Sequence, residues 1–179
     1  DKYSVLSSIA GQGNIIDEIA PADYFRLAEE CLNLGAKIVA LKSAHRGYYI
    51  LTADFQNETE FIEMFPGDWQ NWSNRELWCP AFSIDKIASA TGSGDSSIAG
   101  FHAAFLRGFS IEETLKYATC VGYQNLHQLD AVSGIRSWNE TQKMVEENDM
   151  PVIKLSLDPS KWRWQDEFKL YIGAGDKNF

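Results

Sequence analysis

The 179-residue chain lacks long apolar runs and an apolar leader, and it has few cysteines. No stretch approaches the roughly eighteen apolar residues of a transmembrane helix, so we expect neither a membrane span nor a signal peptide. Its three cysteines, Cys31, Cys79 and Cys120, are widely spaced without a CxxC pair. We therefore expect no disulfide framework and no metal site, and we expect a cytoplasmic protein. The chain begins at Asp1 without Met, which suggests a piece of something longer.

Basic residues are also scarce, with 16 Lys and Arg against 25 Asp and Glu and a formal net charge of -9. A nucleic-acid partner would require a basic face, so none is expected. A phosphate-binding Walker A loop, an internal repeat and a low-complexity segment are absent as well. A hydrophobic fraction of 45% is ordinary for a soluble globular protein, and the length suits one domain with a substantial core.

Residues 91–100 (TGSGDSSIAG) are the stretch with the clearest chemical meaning. A glycine-rich turn leads directly into an apolar pattern of helical period, and such a turn binds anions through its backbone N–H groups and the helix dipole. Asp95 lies in the same first turn and would repel a phosphate, which favours a different task, namely accepting a proton from an attacking hydroxyl. The alternative is a flexible Gly-Ser-Gly loop followed by an ordinary N-terminal helix acid.

The remaining pattern alternates helices and strands, as in an α/β protein. Residues 21–34 are predicted to be a helix that ends at Gly35, and residues 37–42 and 47–52 a hairpin whose first strand is buried. Pro80 predicts that the strand over residues 77–84 lies at a sheet edge. Residues 92–107 are predicted to be a helix. Ser110 and Glu113 predict a capping box for the next helix. Asn139 with Gln142 is predicted to cap a last helix over residues 140–147.

The two ends of the chain carry little periodicity. Residues 5–10 could be a short strand or a helix start. The tail, residues 158–179, has no clear pattern, and its role is left open. Its Gly173-Ala174-Gly175-Asp176 sequence imitates a phosphate loop, but the chain ends three residues later, so no helix can follow it. We therefore expect no phosphate site there.

The order of these parts resembles the carboxy-terminal half of the ribokinase-like (PfkB) carbohydrate kinases. Residues 89–100 (SATGSGDSSIAG) are similar to the family signature Asp-Thr-x-Gly-Ala-Gly-Asp-x-Phe-x-x-Gly. Residues 108–118 (GFSIEETLKYA) resemble its Gly-x-Ser-x-Glu-Glu-Ala helix, and residues 39–49 (VALKSAHRGYY) resemble its Val-x-x-Lys-x-Gly-x-x-Gly hairpin. The resemblance spans roughly residues 20–147.

The resemblance implies a partial three-layer α/β/α fold, with a parallel-rich sheet and the nucleotide-binding part in residues 1–157. It implies phosphoryl transfer from ATP with Mg²⁺ to a hydroxyl of a sugar or related small molecule, and a possible homodimer of the full-length protein. Asp95 would be the general base. The nucleotide-binding residues would be Gly92, Ser93, Gly94, Lys42, Gly47 and Gly134, the last three in a hairpin and a loop, residues 131–137, that flank the adenine and ribose.

Three departures from the family pattern stand beside these expectations. Ser89-Ala90 replaces an Asp-Thr pair tied to monovalent cations in some members, which leaves potassium activation open. Ala44 replaces a hairpin glycine. The amino-terminal half, with its substrate-binding region and lid, has no counterpart here, so we expect this piece alone to be inactive or nearly so. The alternatives are a nucleotide-binding or regulatory module without catalysis and an unrelated α/β domain that matches by chance.

Overall fold

A five-stranded sheet with helices on both faces organises the protein, whose computed structural model describes residues 15–179. The predicted strand or helix start over residues 5–10 lies outside the described residues. The helices are α1 (Pro21–Asn33), α2 (Thr59–Glu63), α3 (Trp69–Trp72), α4 (Ser93–Phe105), α5 (Ile111–Asn125) and α6 (Trp138–Glu147). The strands are β1 (Ile38–Lys42), β2 (Tyr48–Thr52), β3 (Glu76–Cys79), β4 (Trp162–Gln165) and β5 (Leu170–Gly173).

The sheet has the order β1-β2-β3-β5-β4, and every neighbouring pair is antiparallel. The expectation of a parallel-rich sheet is therefore wrong for the described strands. A short 3₁₀ turn joins β1 to β2, and only antiparallel neighbours can be connected so tightly. The predicted hairpin is confirmed, with Ile38 opposite Thr52 and Lys42 opposite Tyr48.

Alternate residues of β2 face opposite layers, as the two-residue period of a strand requires. Tyr48 and Ile50 belong to a core cluster that includes Phe101 of α4 and Leu115 of α5. Residues Tyr49 and Leu51 belong to a second cluster with Tyr24 and Ala28 of α1. The helices thus cover both faces of one sheet, and the predicted α/β/α layering is confirmed.

The predicted positions of two strands in the sheet are wrong. β1 was predicted to be buried, and β3 was predicted to lie at an edge. β3 lies in the middle of the sheet, because Pro80 follows its last residue and removes no ladder hydrogen bond. β1 is at the edge, and Val39 is its only fully buried residue. A continuous apolar run predicted burial on both faces, but the described residues include no strand beyond β1.

The tail forms the far side of the sheet. β5 pairs with β3, and β4 pairs with β5, although the tail sequence shows no clear period. After β5, the Asp176 carboxylate accepts hydrogen bonds from the Arg75 guanidinium at 2.8 Å and from the Glu76 N–H at 3.0 Å. Asp176 therefore has a structural partner in the core, in accord with our reading of its loop as no phosphate site.

Helix ends follow the local sequence closely. Ser110 and Glu113 form the predicted capping box of α5. The last helix begins two residues earlier than predicted and is capped by Ser137 with Glu140, so the Asn139–Gln142 cap is wrong. Both true caps share the Ser-x-x-Glu spacing, in which each side chain bonds the other residue's backbone N–H.

Candidate active site

The glycine-rich stretch forms a tight turn that opens α4, as predicted from the sequence. Gly92 is the N-cap, with a left-handed φ of 77°. Because glycine has no side chain, it provides no capping hydrogen bond. A Cβ on Gly92 would lie 2.6 Å from the Cβ of Ala131, so only glycine fits there. α4 begins at Ser93, so the glycine-rich stretch does open a helix.

The first turn of α4 presents unused backbone donors. Helix geometry leaves its first N–H groups without an intrahelical acceptor. The N–H of Ser93 bonds to the oxygen of Ala90 at 3.2 Å, and that of Ser96 bonds to the oxygen of Gly92 at 2.8 Å. Within residues 15–179 the N–H groups of Gly94 and Asp95 have no such acceptor, and they lie at the positive end of the helix dipole.

Lys42, at the end of β1, brings a second positive charge to this turn. Its Nζ lies 2.9 Å from the place that a Cβ on Gly94 would occupy. Lys42 and Gly94 are 52 positions apart in the sequence, and both were predicted to bind the nucleotide. An ammonium beside a helix N-terminus is electrostatically unfavourable, because both are positive, and a bound anion would relieve this repulsion.

Asp95 is exposed in the first turn of α4. Among the described residues, none forms a hydrogen bond or an ion pair with its carboxylate. The acid is therefore available to a molecule that approaches the turn from solvent. Its predicted role as a general base stays a prediction.

Gly47 and Gly134 serve the backbone around the site. Gly47 is buried with a φ of 84°, and a Cβ on it would lie 2.1 Å from the Cys79 oxygen. A Cβ on Gly134 would lie 2.5 Å from the Gln124 oxygen at the end of α5. These contacts explain both glycines through close packing, and their predicted part in nucleotide binding stays a prediction.

Buried hydroxyl groups support the turn from below. The Tyr48 hydroxyl and Ser97 Oγ lie 2.7 Å apart, and Ser97 donates to the Gly94 oxygen at 2.8 Å. Burial raises the pKa of the Tyr48 phenol, so this group stays protonated and acts as a hydrogen-bonding partner. The chain of contacts connects strand β2 to the first turn of α4.

Sequence reasoning missed the residues that hold the turn from the side. Asn125, the last residue of α5, donates from Nδ2 to the Thr91 oxygen at 2.7 Å. The Ala88 N–H donates to the Leu126 oxygen at 2.9 Å. A buried amide on an otherwise apolar helix face was the only sequence signal for Asn125, and it gave no indication of the partner.

A groove of about 1210 Å³ lies between α1, β1 and α4 and reaches the site through Lys42. Its apolar lining includes Leu27, Ile38, Leu41, Ile98, Phe101 and Phe105. We call it the edge groove, because it runs along the open edge of β1. Leu27 is 50% exposed and Ile98 is 38% exposed, so the groove presents apolar surface to solvent.

Other chemistries find less support in the described part of the chain. Burial raises the pKa of the Cys79 and Cys120 thiols to about 11, so both stay protonated and are poor nucleophiles. Residues 15–179 contain no group of three or more His, Cys, Asp or Glu side chains that could hold a metal ion. None of the described helices is both long enough and apolar enough to cross a membrane.

Comparison with known proteins gives matches over most of this chain. The sequence profile described as pfkB family carbohydrate kinase matches residues 18–138, which contain the hairpin, the glycine-rich turn and α5. An uncharacterized sugar kinase of Archaeoglobus fulgidus is 28% identical over 120 residues, which are 67% of this chain and 40% of that protein. This chain thus spans well under half of the curated relative.

Solved structures give the same fold at low identity. A ribokinase from Thermotoga maritima matches with a TM-score of 0.51 and 22% identity, over 68% of this chain and 34% of its own. A ribokinase from Arabidopsis thaliana, complexed with ribose and ATP, matches with a TM-score of 0.55 and 19% identity, over 70% of this chain and 34% of its own. The expected ribokinase-like fold is confirmed, for about a third of each structure.

Proposed function

The chain belongs to the pfkB family of carbohydrate kinases, and on that premise we propose that it is the nucleotide-binding and catalytic part of a kinase. The complete protein transfers a phosphoryl group from ATP to a hydroxyl of a sugar or related small molecule. The observation that carries the proposal is the meeting of the open first turn of α4 with the Lys42 ammonium. Exposed Asp95 lies in the same turn.

The residues of the turn fit the phosphates of a nucleotide. The Gly94 and Asp95 N–H groups and the helix dipole bind phosphate oxygens, and the Lys42 ammonium offsets their charge. Gly92 and Ser93 shape the turn, and Gly94 allows close approach because it has no side chain. ATP bound with Mg²⁺ supplies an activated γ-phosphoryl group whose charge is partly neutralised. Gly47 and Gly134 hold the hairpin and the loop that border the adenine and ribose.

Asp95 acts as the general base. Its carboxylate accepts the proton of the acceptor hydroxyl while that oxygen bonds to the γ-phosphorus and the bond to the β-phosphate oxygen breaks. Placement of the two reactants in line supplies much of the rate enhancement. The products are ADP and the phosphorylated acceptor.

The described residues lack a wall that would hold an acceptor against Asp95. We propose that another part of the kinase supplies it and covers the edge groove, so this piece alone is inactive or nearly so. Lys42 lines both the groove and the anion site, which supports this arrangement. Residues 1–157 with the tail 158–179 then contribute to one kinase domain in a cytoplasmic protein, whose full-length form is a possible homodimer.

The first test is Asp95→Asn in the full-length protein, with turnover measured over a panel of sugars. Because asparagine cannot accept the proton, we expect turnover to fall roughly a hundredfold to ten-thousandfold while the KM for ATP changes little. The control is Glu147→Gln, which neutralises an exposed acid of α6 and should leave turnover unchanged. Unchanged turnover in Asp95→Asn would remove the assignment of the base.

A second candidate is a nucleotide-binding or regulatory module that kept the fold without the reaction. Ser89-Ala90 in place of Asp-Thr and Ala44 in place of glycine favour it. Retention of an exposed acid at Asp95 favours the kinase, because a binder has no use for a base beside phosphates. Calorimetric binding of ATP by the full-length protein, without transfer to any sugar of the panel, would select the module.

A further inference from the structure

Asn125 occupies an unusual position for an amide side chain. It is fully buried at the carboxyl end of α5, with 0% of its surface exposed. Its Nδ2 donates to the Thr91 oxygen at 2.7 Å, across 34 positions of sequence. Thr91 directly precedes Gly92, so this hydrogen bond reaches the peptide unit that enters the glycine-rich turn.

The bond fixes the orientation of one peptide plane. The Thr91 carbonyl and the Gly92 N–H belong to the same planar unit, so a partner on the carbonyl also sets the direction of that N–H. Gly92 then takes its left-handed conformation and begins α4. A rotation of this unit would change the path of the turn and move the donors of Gly94 and Asp95.

Two further contacts to the loop come from the same side. The Leu126 oxygen accepts from the Ala88 N–H at 2.9 Å, and Ala131 fills the space beside Gly92. Thus the end of α5 and the loop after it hold residues 88–92. Asn125 is the member of this set that acts through a side chain, and it is therefore the one that a substitution can remove.

The carbonyl oxygen of the Asn125 side chain indicates that the amide is present for the bond that its nitrogen donates. Asn125 Oδ1 is buried and has no hydrogen-bond partner within residues 15–179. An apolar side chain of the same size would fill this place without an unpaired oxygen. The contribution of the amide is therefore its bond to the Thr91 carbonyl, since its oxygen adds nothing to stability.

We propose that Asn125 is a positioning residue, which orients the glycine-rich turn so that the first N–H groups of α4 face a bound phosphate. This inference rests on the proposed function for the identity of the ligand. The ordering of the turn itself does not depend on that function, and the two are therefore measured separately.

The experiment compares Asn125→Leu with wild type by amide hydrogen exchange of the chain without ligand and by calorimetry with ATP. Leucine has a similar size and no donor. We expect exchange at Ser93 and Ser96, whose N–H groups bond to the Ala90 and Gly92 oxygens, to become about tenfold faster, and the Kd for ATP to rise about tenfold, as for the loss of one hydrogen bond. The midpoint of thermal unfolding should change little, because the unpaired oxygen is removed as well.

Asn71→Leu is the matched control, because Asn71 is an amide that holds the other end of α5. Its Oδ1 accepts from the Ile111 N–H at 2.8 Å, and its Nδ2 donates to Glu112 at 3.0 Å. We expect this variant to lower the thermal midpoint without an effect on exchange at Ser93 and Ser96 or on ATP affinity. Asn125→Ala replaces Asn125→Leu if the latter fails to fold.

Unchanged exchange at Ser93 and Ser96 in the Asn125 variant overturns the positioning role, whatever the result for ATP binding. An equal change in the Asn71 variant also overturns it, since the effect would then be general loosening. If the wild-type chain binds no ATP and the Asn125 variant still shows faster exchange, the result supports the positioning of the turn and contradicts the proposed function.

Discussion

Ala44 has a backbone conformation that alanine rarely adopts. Its φ is 44°, in the left-handed region, at the start of the 3₁₀ turn between β1 and β2. The family pattern that the hairpin resembles has glycine in this place. Alanine costs about 1–2 kcal/mol there, because its Cβ approaches the following carbonyl oxygen. The hairpin therefore keeps the backbone path of a glycine turn without the glycine.

Ala44→Gly should stabilise the protein by about 0.5–1 kcal/mol, once the greater freedom of glycine in the unfolded chain is subtracted. The measurement is the midpoint and slope of denaturant unfolding. Ala99→Gly is the control, because Ala99 lies exposed within α4, where glycine should cost about 1 kcal/mol. A loss of stability in both variants would mean that the left-handed conformation of Ala44 carries no cost.

Single residues of the site were predictable to different degrees. Asp95 and the glycines of the turn follow from a short motif whose chemistry depends on local backbone geometry. Lys42 was expected to border the nucleotide, but its contact with Gly94 depends on the pairing of β1 with β2 and their packing against α4. Asn125 was not predictable, because its partner Thr91 lies in another element.

At the scale of elements, two glycines allow α4 and α5 to approach closely. A Cβ on Gly100 would lie 2.9 Å from the Tyr117 oxygen, and one on Gly122 would lie 3.0 Å from the Cβ of Ser97. This close packing explains why glycine stands at position 122 inside α5. The contact brings α5 directly against the first turn of α4, so the stability of α5 bears on the site.

Ser110→Ala should therefore destabilise the protein by about 1 kcal/mol, because the N-cap of α5 loses its bond to the Glu113 N–H. The thermal midpoint should fall by about 2–4 °C in a protein of this size. Asn139→Ala, at the position wrongly predicted as a cap, should have little effect. Ser110→Asp should recover most of the loss, and failure to do so would assign the effect to packing.

At the scale of the whole molecule, the tail is part of the core. β5 lies between β3 and β4, and its Leu170 and Ile172 are buried with Leu77 in one cluster. The Arg75 guanidinium is 1% exposed and lies between the carboxylates of Glu112 and Asp176. A buried charge that loses a partner is strongly destabilising, so Arg75 connects the tail to the stability of the sheet.

Removal of residues 158–179 should therefore prevent folding, since it takes two strands from the sheet and one carboxylate from Arg75. We expect insoluble expression, or a soluble chain without a cooperative thermal transition by circular dichroism. Removal of residues 177–179 alone is the control and should leave a cooperative transition, because β5 and Asp176 remain. A cooperative transition in the longer truncation would show that the tail is dispensable.

The sequence by itself determined the starts of α1, α4 and α5, the hairpin, the glycine-rich turn and its acid. Each depends on residues within a few positions of one another, where spacing and backbone preference act directly. Tertiary structure alone decided that the sheet is antiparallel, that β3 is central and that the tail completes it. It also decided that Lys42 and Asn125 meet the turn. These pairings join distant parts of the chain, and their energies depend on which surfaces pack together, which local patterns do not encode.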